Sequence, residues 1–108
     1  MSLTINISYT GVGQNAQKFA KEMETSGLAD KIRAQVGNER YEYYLSLEDP
    51  QTVLLIDQWT DQAALDRHHA SEMMHEIVKL RDKYELHMQV QNYIPTKAAT
   101  KDAKFIRK

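Results

Sequence analysis

Cysteine is absent from the 108-residue chain, which excludes disulfides, thiolate catalysis and cysteine-held zinc or iron–sulfur centres together. Charge of one sign is also lacking: 14 Lys and Arg stand against 15 Asp and Glu, so bulk electrostatics gives no pull toward nucleic acid or an anionic membrane. The basic residues from Lys97 onward are a local exception. No apolar run approaches the roughly 18 residues that span a bilayer, and the N-terminus lacks a charged segment followed by an apolar one. A soluble, cytoplasmic protein is expected. Gly11-Val12-Gly13 has neither a third glycine nor a lysine at phosphate-loop spacing. Nothing resembles a nucleophile elbow, a serine triad or a helix-turn-helix. The length suits one compact domain with one sheet and a few helices.

What is present is regular. Leu3 to Tyr9 alternates, with Leu3, Ile5, Ile7 and Tyr9 on one side and Thr4, Asn6 and Ser8 on the other, as a strand does. Ala16, Phe19, Ala20 and Met23 have helical spacing behind Asn15, the expected N-cap, and Ser26-Gly27 ends that helix. Leu28 to Gln35 adds further helical turns before Gly37-Asn38. Strands are expected at Arg40 to Leu47 and Val53 to Trp59, joined through Glu48-Asp49-Pro50 as antiparallel neighbours. Thr60 or Asp61 caps a helix that breaks near Ser71 and resumes to Tyr84, and a last strand runs from Leu86 to Tyr93 before Pro95.

The order β-α-β-β-α-β predicts a ferredoxin-like α+β fold: a four-stranded antiparallel sheet, strands one and three central, both helical segments on one face. Val53-Leu54-Leu55-Ile56 is apolar at both parities, so the third strand is expected to be buried on both faces. A second copy packed sheet to sheet would bury it, which predicts a homodimer. Residues 1–95 form the domain and 96–108 a tail, either solvated or docking Phe105 and Ile106 on the partner subunit.

Chemically capable side chains cluster between Gly37 and Ser71. His68, Glu72 and His75 share one helical face, but the outer two are about 10.5 Å apart along the axis, too far for one ion to hold all three, and no metal is assigned. His68 and His69 lie on the stripe of Leu65 and Met73 and point toward the sheet, either as core histidines or as a base and a substrate contact. Trp59 ends a strand as core or cavity wall. Tyr41 and Tyr43 share a side and Tyr44 takes the other. Asn6, Ser8, His87 and Gln89 form a polar patch on neighbouring strands, which needs water or a ligand.

The segment GNERYEYYLSLEDPQTVLLIDQWTDQAALDRHHAS, residues 37–71, resembles the antibiotic biosynthesis monooxygenase family of dimeric α+β barrels. Its marks are the turn at Gly37-Asn38 before an aromatic strand, the Asp49-Pro50 turn, Trp59 ending the third strand, and His68 on the following helix. The resemblance implies oxygenation of a small phenolic or quinol-type aromatic by dioxygen with neither metal nor flavin. It implies His68 as base, Asn6 and Tyr43 orienting substrate, and Trp59 as a wall, with Tyr41, His69, Ser8, His87 and Gln89 as further substrate contacts. The family's haem-degrading branch shares an asparagine at the position of Asn6, but it carries tryptophan and histidine where His68 and Val78 stand here. Another branch isomerises a small phosphorylated compound and shares both turns. A non-catalytic ligand-binding dimer is the alternative outside enzymology.

Overall fold

The computed structural model describes residues 2–97 and 100–107. Ala98, Ala99 and Lys108 of the expected tail, and Met1 of the expected domain, lie outside the described residues. The elements are β1 (Leu3–Thr10), α1 (Asn15–Thr25), α2 (Leu28–Arg33), β2 (Asn38–Leu45), β3 (Thr52–Trp59), α3 (Gln62–His69), α4 (Glu72–Lys83) and β4 (His87–Tyr93). The sheet is antiparallel in the order β2-β3-β1-β4, the ferredoxin-like arrangement, with strands one and three central as expected.

Strand parity divides the sheet into two unlike faces. Ile5, Ile7 and Tyr9 of β1, Tyr41 of β2, and Val53, Leu55, Asp57 and Trp59 of β3 are buried on the face that carries the helices. They pack on Phe19 and Met23 of α1, Ile32 of α2, Leu65 of α3 and Ile77 of α4. Burying side chains of this size at roughly 1.5–3 kcal/mol each makes this layer the main source of stability. The other face presents Thr4, Asn6, Ser8, Leu54 and Ile56, and no element among the described residues covers it.

Local chemistry sets the boundaries. Asp61 caps α3 by accepting from the Ala64 N–H at 2.9 Å. Asn15 does not cap α1: Gln14 holds that position without a side-chain bond, and the Asn15 amide donates to the Tyr84 carbonyl at 3.1 Å, tying α1 to the end of α4. The second strand ends at Leu45 rather than Leu47, because the Ser46 hydroxyl accepts from the backbone N–H groups of Glu48 and Asp49 and turns the chain early. β4 begins at His87, one residue later than expected. Glu85 takes a left-handed φ of 51°, and the Leu86 N–H returns to the Arg81 carbonyl at 3.0 Å, so Leu86 belongs to the closing motif of α4. Thr100–Phe105 forms a short 3-10 helix with Phe105 and Ile106 exposed.

Candidate active site

β3 places a carboxylic acid in the core. Asp57 shares the parity of Val53, Leu55 and Trp59 and is only 4% exposed. Its Oδ1 has no hydrogen-bond partner among the described residues. Burial raises its pKa from 3.8 to about 7, while the Trp59 indole and the Arg81 guanidinium favour the ionised form and limit the rise. A buried carboxyl with no partner at Oδ1 is costly to a fold, which marks Asp57 as a candidate site residue.

Asp57 borders a cavity of about 320 Å³ between the helix-bearing face of the sheet and α3 and α4. Ile5, Ile7, Leu65, Met74, Met88 and Val90 make it apolar. Gln62, His69, Arg81 and Asn92 supply its other polar groups. The wall at Met88, Val90 and Asn92 comes from β4, where these residues pair with Tyr9, Ile7 and Ile5 and so share their face. Arg81 is fixed by two bonds to the buried Tyr9 hydroxyl, from Nη2 at 2.9 Å and Nε at 3.2 Å.

The residues singled out in the sequence fall on both sides of the sheet. His69 reaches this cavity. His68, 3% exposed, does not border it and is stacked on Trp59 with ring centroids 4.8 Å apart. Its Nδ1 donates to Gln35 Oε1 at 2.7 Å. Burial, then the charges of His69 and Arg81, lower its pKa to about 4, so the ring is neutral at physiological pH. Tyr41 and Tyr43 join hydroxyls at 3.0 Å on the helix-bearing face, and burial raises both pKa values. Tyr43 borders a separate, open hollow between β2, α1 and α2.

Asn6, Ser8, His87 and Gln89 occupy the opposite, uncovered face, so the sheet separates them from His68, Trp59 and Tyr43. Asn6 lines a shallow hollow there with Arg40, Ile56 and Tyr93, and Ser8, His87 and Gln89 line another. Asp57, Arg81 and Asn92 were not apparent as site residues from sequence. One signal was available: an aspartate within VLLIDQW, at the parity of Val53, Leu55 and Trp59, has to be buried if that parity faces the core.

Among the described residues, no group of three or more His, Asp or Glu is placed to hold a metal ion. Nor does any described helix have the length and apolarity to cross a membrane.

A four-stranded antiparallel sheet with helices on one face defines a ferredoxin-like α+β protein, with a small polar-edged cavity between the sheet and α3 and α4. The antibiotic biosynthesis monooxygenase profile matches residues 3–80, and the chain belongs to that family. Its fold is similar to that of SnoaB, a cofactor-independent oxygenase from Streptomyces nogalater, with a TM-score of 0.74 and 16% identity over 92% of this chain and 97% of that one. It is similar also to PA3566 from Pseudomonas aeruginosa (TM-score 0.74, 22% identity, 89% and 95% coverage). A conserved protein from Methanosarcina mazei Go1 gives a TM-score of 0.74 at 20% identity, covering 86% of this chain and 91% of its own. At these identities the likeness establishes the fold. No curated protein matches the sequence.

Proposed function

We propose that this protein is a cofactor-independent monooxygenase that oxidises a small phenolic or quinol-type aromatic with dioxygen, acting as a cytoplasmic homodimer. The observation that carries the reading is an apolar cavity holding one buried, unpartnered carboxyl, Asp57, with a pKa of about 7. A base of that strength is half ionised at neutral pH and suited to take a phenolic proton. Family membership and the fold shared with a cofactor-independent oxygenase support the choice of reaction.

In this reaction Asp57 accepts the hydroxyl proton and leaves an electron-rich aromatic anion. The anion passes one electron to dioxygen, and the resulting radical and superoxide combine to form a carbon–oxygen bond. Protonation of the peroxide and loss of water, with the ring hydrogen leaving as a proton, give a carbonyl. One phenol and one dioxygen become one quinone and one water. The apolar walls hold the ring, and His69, Gln62 and Asn92 orient its oxygens.

The base is assigned to Asp57 in preference to His68, whose ring is neutral, stacked and a weak proton acceptor near pH 7. His68 and Trp59 then form the wall behind the cavity, and the Tyr41–Tyr43 pair braces β2 against α1. The uncovered face, with Leu54 and Ile56 flanked by Asn6, Ser8, His87 and Gln89, is assigned to the partner copy. The tail's Phe105 and Ile106 are assigned to the same contact.

Oxygen uptake by metal-stripped protein across a panel of naphthols and quinols, with Asp57→Asn alongside, tests the reading. Uptake that requires both substrate and Asp57 supports it. Conversion of a substrate without oxygen would indicate an isomerase instead, and ligand held unchanged in air a binding dimer.

A further inference from the structure

Arg81 is held in an unusual way for a cation beside a cavity. Its Nε and Nη2 both donate to the hydroxyl of Tyr9, a neutral group. Among the described residues it makes no salt bridge, whereas Arg33, Arg40 and Lys83 each pair with a glutamate. Asp57 borders the same cavity but forms neither an ion pair nor a hydrogen bond with it. The guanidinium is therefore oriented along one edge and uncompensated along the other. Nη1 has no partner among the described residues, and with the second N–H of Nη2 it forms an edge of two parallel donors that matches the two oxygens of a carboxylate.

Nothing else at the cavity supplies negative charge except Asp57, which bears a proton for much of the time at neutral pH and so offsets the arginine only in part. The remaining lining is aliphatic, thioether, amide or imidazole. A volume of about 320 Å³ accommodates a bicyclic aromatic.

We infer that this cavity selects aromatic substrates bearing a carboxylate, with Arg81 pairing to the carboxylate and the ring lying across Ile5, Ile7, Leu65 and Val90. Arg81 is then the specificity-determining residue, and Tyr9 the positioning residue that aims it. The inference rests on the cavity being the substrate site proposed above, but it concerns binding and does not depend on oxygen chemistry.

The test is anaerobic calorimetric titration with two nearly isosteric probes, 1-naphthoate and 1-naphthamide, at pH 7. The carboxylate is expected to bind at least tenfold more tightly than the amide. Arg81→Met should reduce that preference to less than twofold, and Arg81→Lys should retain part of it. Tyr9→Phe keeps the charge but frees the side chain, and should weaken naphthoate more than naphthamide. Equal binding of the two probes by the wild-type protein, or binding of neither, overturns the inference. If Arg81→Met fails to fold, the wild-type comparison with Arg81→Lys decides. A clear carboxylate preference in a protein that consumes no oxygen would leave the inference standing and remove the oxygenase reading.

Discussion

The His68 imidazole lies against the Trp59 indole with ring planes inclined by 25°, and its Nδ1–H is committed to Gln35 at the end of the α2 segment. This contact joins α3, β3 and the loop before β2 in one place, so His68 is a packing residue with a polar anchor. His68→Ala should lose on the order of 2–4 kcal/mol through the cavity created and the unpaired Gln35 amide. Denaturant unfolding would measure it. His69→Ala, on the exposed side of the same helix, should change stability by less than about 0.5 kcal/mol while lowering turnover. Turnover that responds only to His68, with stability unchanged, would return the base role to His68.

Asp57→Asn keeps the shape of the side chain and removes the base. Oxygen uptake should fall by about 100-fold or more on a proven substrate, with substrate affinity changed much less. Steady-state kinetics in an oxygen electrode would separate kcat from KM. Turnover within twofold of wild type would dismiss Asp57.

Asp57 and His68 also tilt stability in opposite directions with pH. Asp57 has a folded pKa of about 7 against 3.8, so its contribution is complete below pH 3.8 and is lost as pH rises toward 7. That loss is on the order of 4 kcal/mol. His68 has a folded pKa of about 4 against 6.5, so its contribution is complete above pH 6.5 and is lost as pH falls toward 4, on the order of 3 kcal/mol. Between pH 4 and 6.5 the two slopes oppose each other. Relative to wild type, Asp57→Asn should therefore gain stability as pH rises toward 7, and the change in the difference between their unfolding free energies from pH 5 to pH 8 captures roughly two-thirds of the effect. An invariant difference would mean that Asp57 titrates normally in the folded protein.

Gly37 has a φ of 91°, and a Cβ there would lie 2.5 Å from the Ala64 Cβ and 3.0 Å from the Thr60 hydroxyl. Its carbonyl accepts from the Thr60 N–H at 2.8 Å, so the loop before β2 is pressed directly onto the start of α3. Gly37→Ala should cost on the order of 2 kcal/mol or more, from backbone strain and the overlap together. A thermal melt unchanged within 2 °C would show that the loop yields without penalty.

The uncovered sheet face carries the half-buried Leu54 and Ile56 at its centre. Ile56→Lys should convert the proposed homodimer to a monomer, read as a halved mass in sedimentation equilibrium. An unchanged mass would place any dimer contact elsewhere.

The periodic parts of this structure were legible in the sequence, and the site was legible only in pieces. Alternation at Ile5, Ile7 and Tyr9 gave β1, and the same rule separated Tyr41 and Tyr43 from Tyr44, because side-chain direction along a strand follows from backbone geometry alone. Which parity faces the helices depends on tertiary packing, and that ambiguity allowed Asn6 and Ser8 to be grouped with His68 and Trp59 across the thickness of the sheet. Asp57 was hidden inside an apolar run whose both-parity pattern drew attention to the opposite face. Arg81 stands on a helix rich in charge, and only the meeting of α4 with Tyr9 of β1 distinguishes it from its exposed neighbours.

Pairing of β4 with β1 joins residues from the two ends of the domain, Thr4 with Tyr93 and Thr10 with His87. Contacts this distant in sequence slow the folding of a chain. On a growing polypeptide, β1, β3 and the first helices can already be in place while Met88, Val90 and Asn92 are still unmade. Arrival of the last strand adds Met88, Val90 and Asn92 to the border of the cavity, so the hollow beside Asp57 takes its final shape only when the two ends of the domain meet.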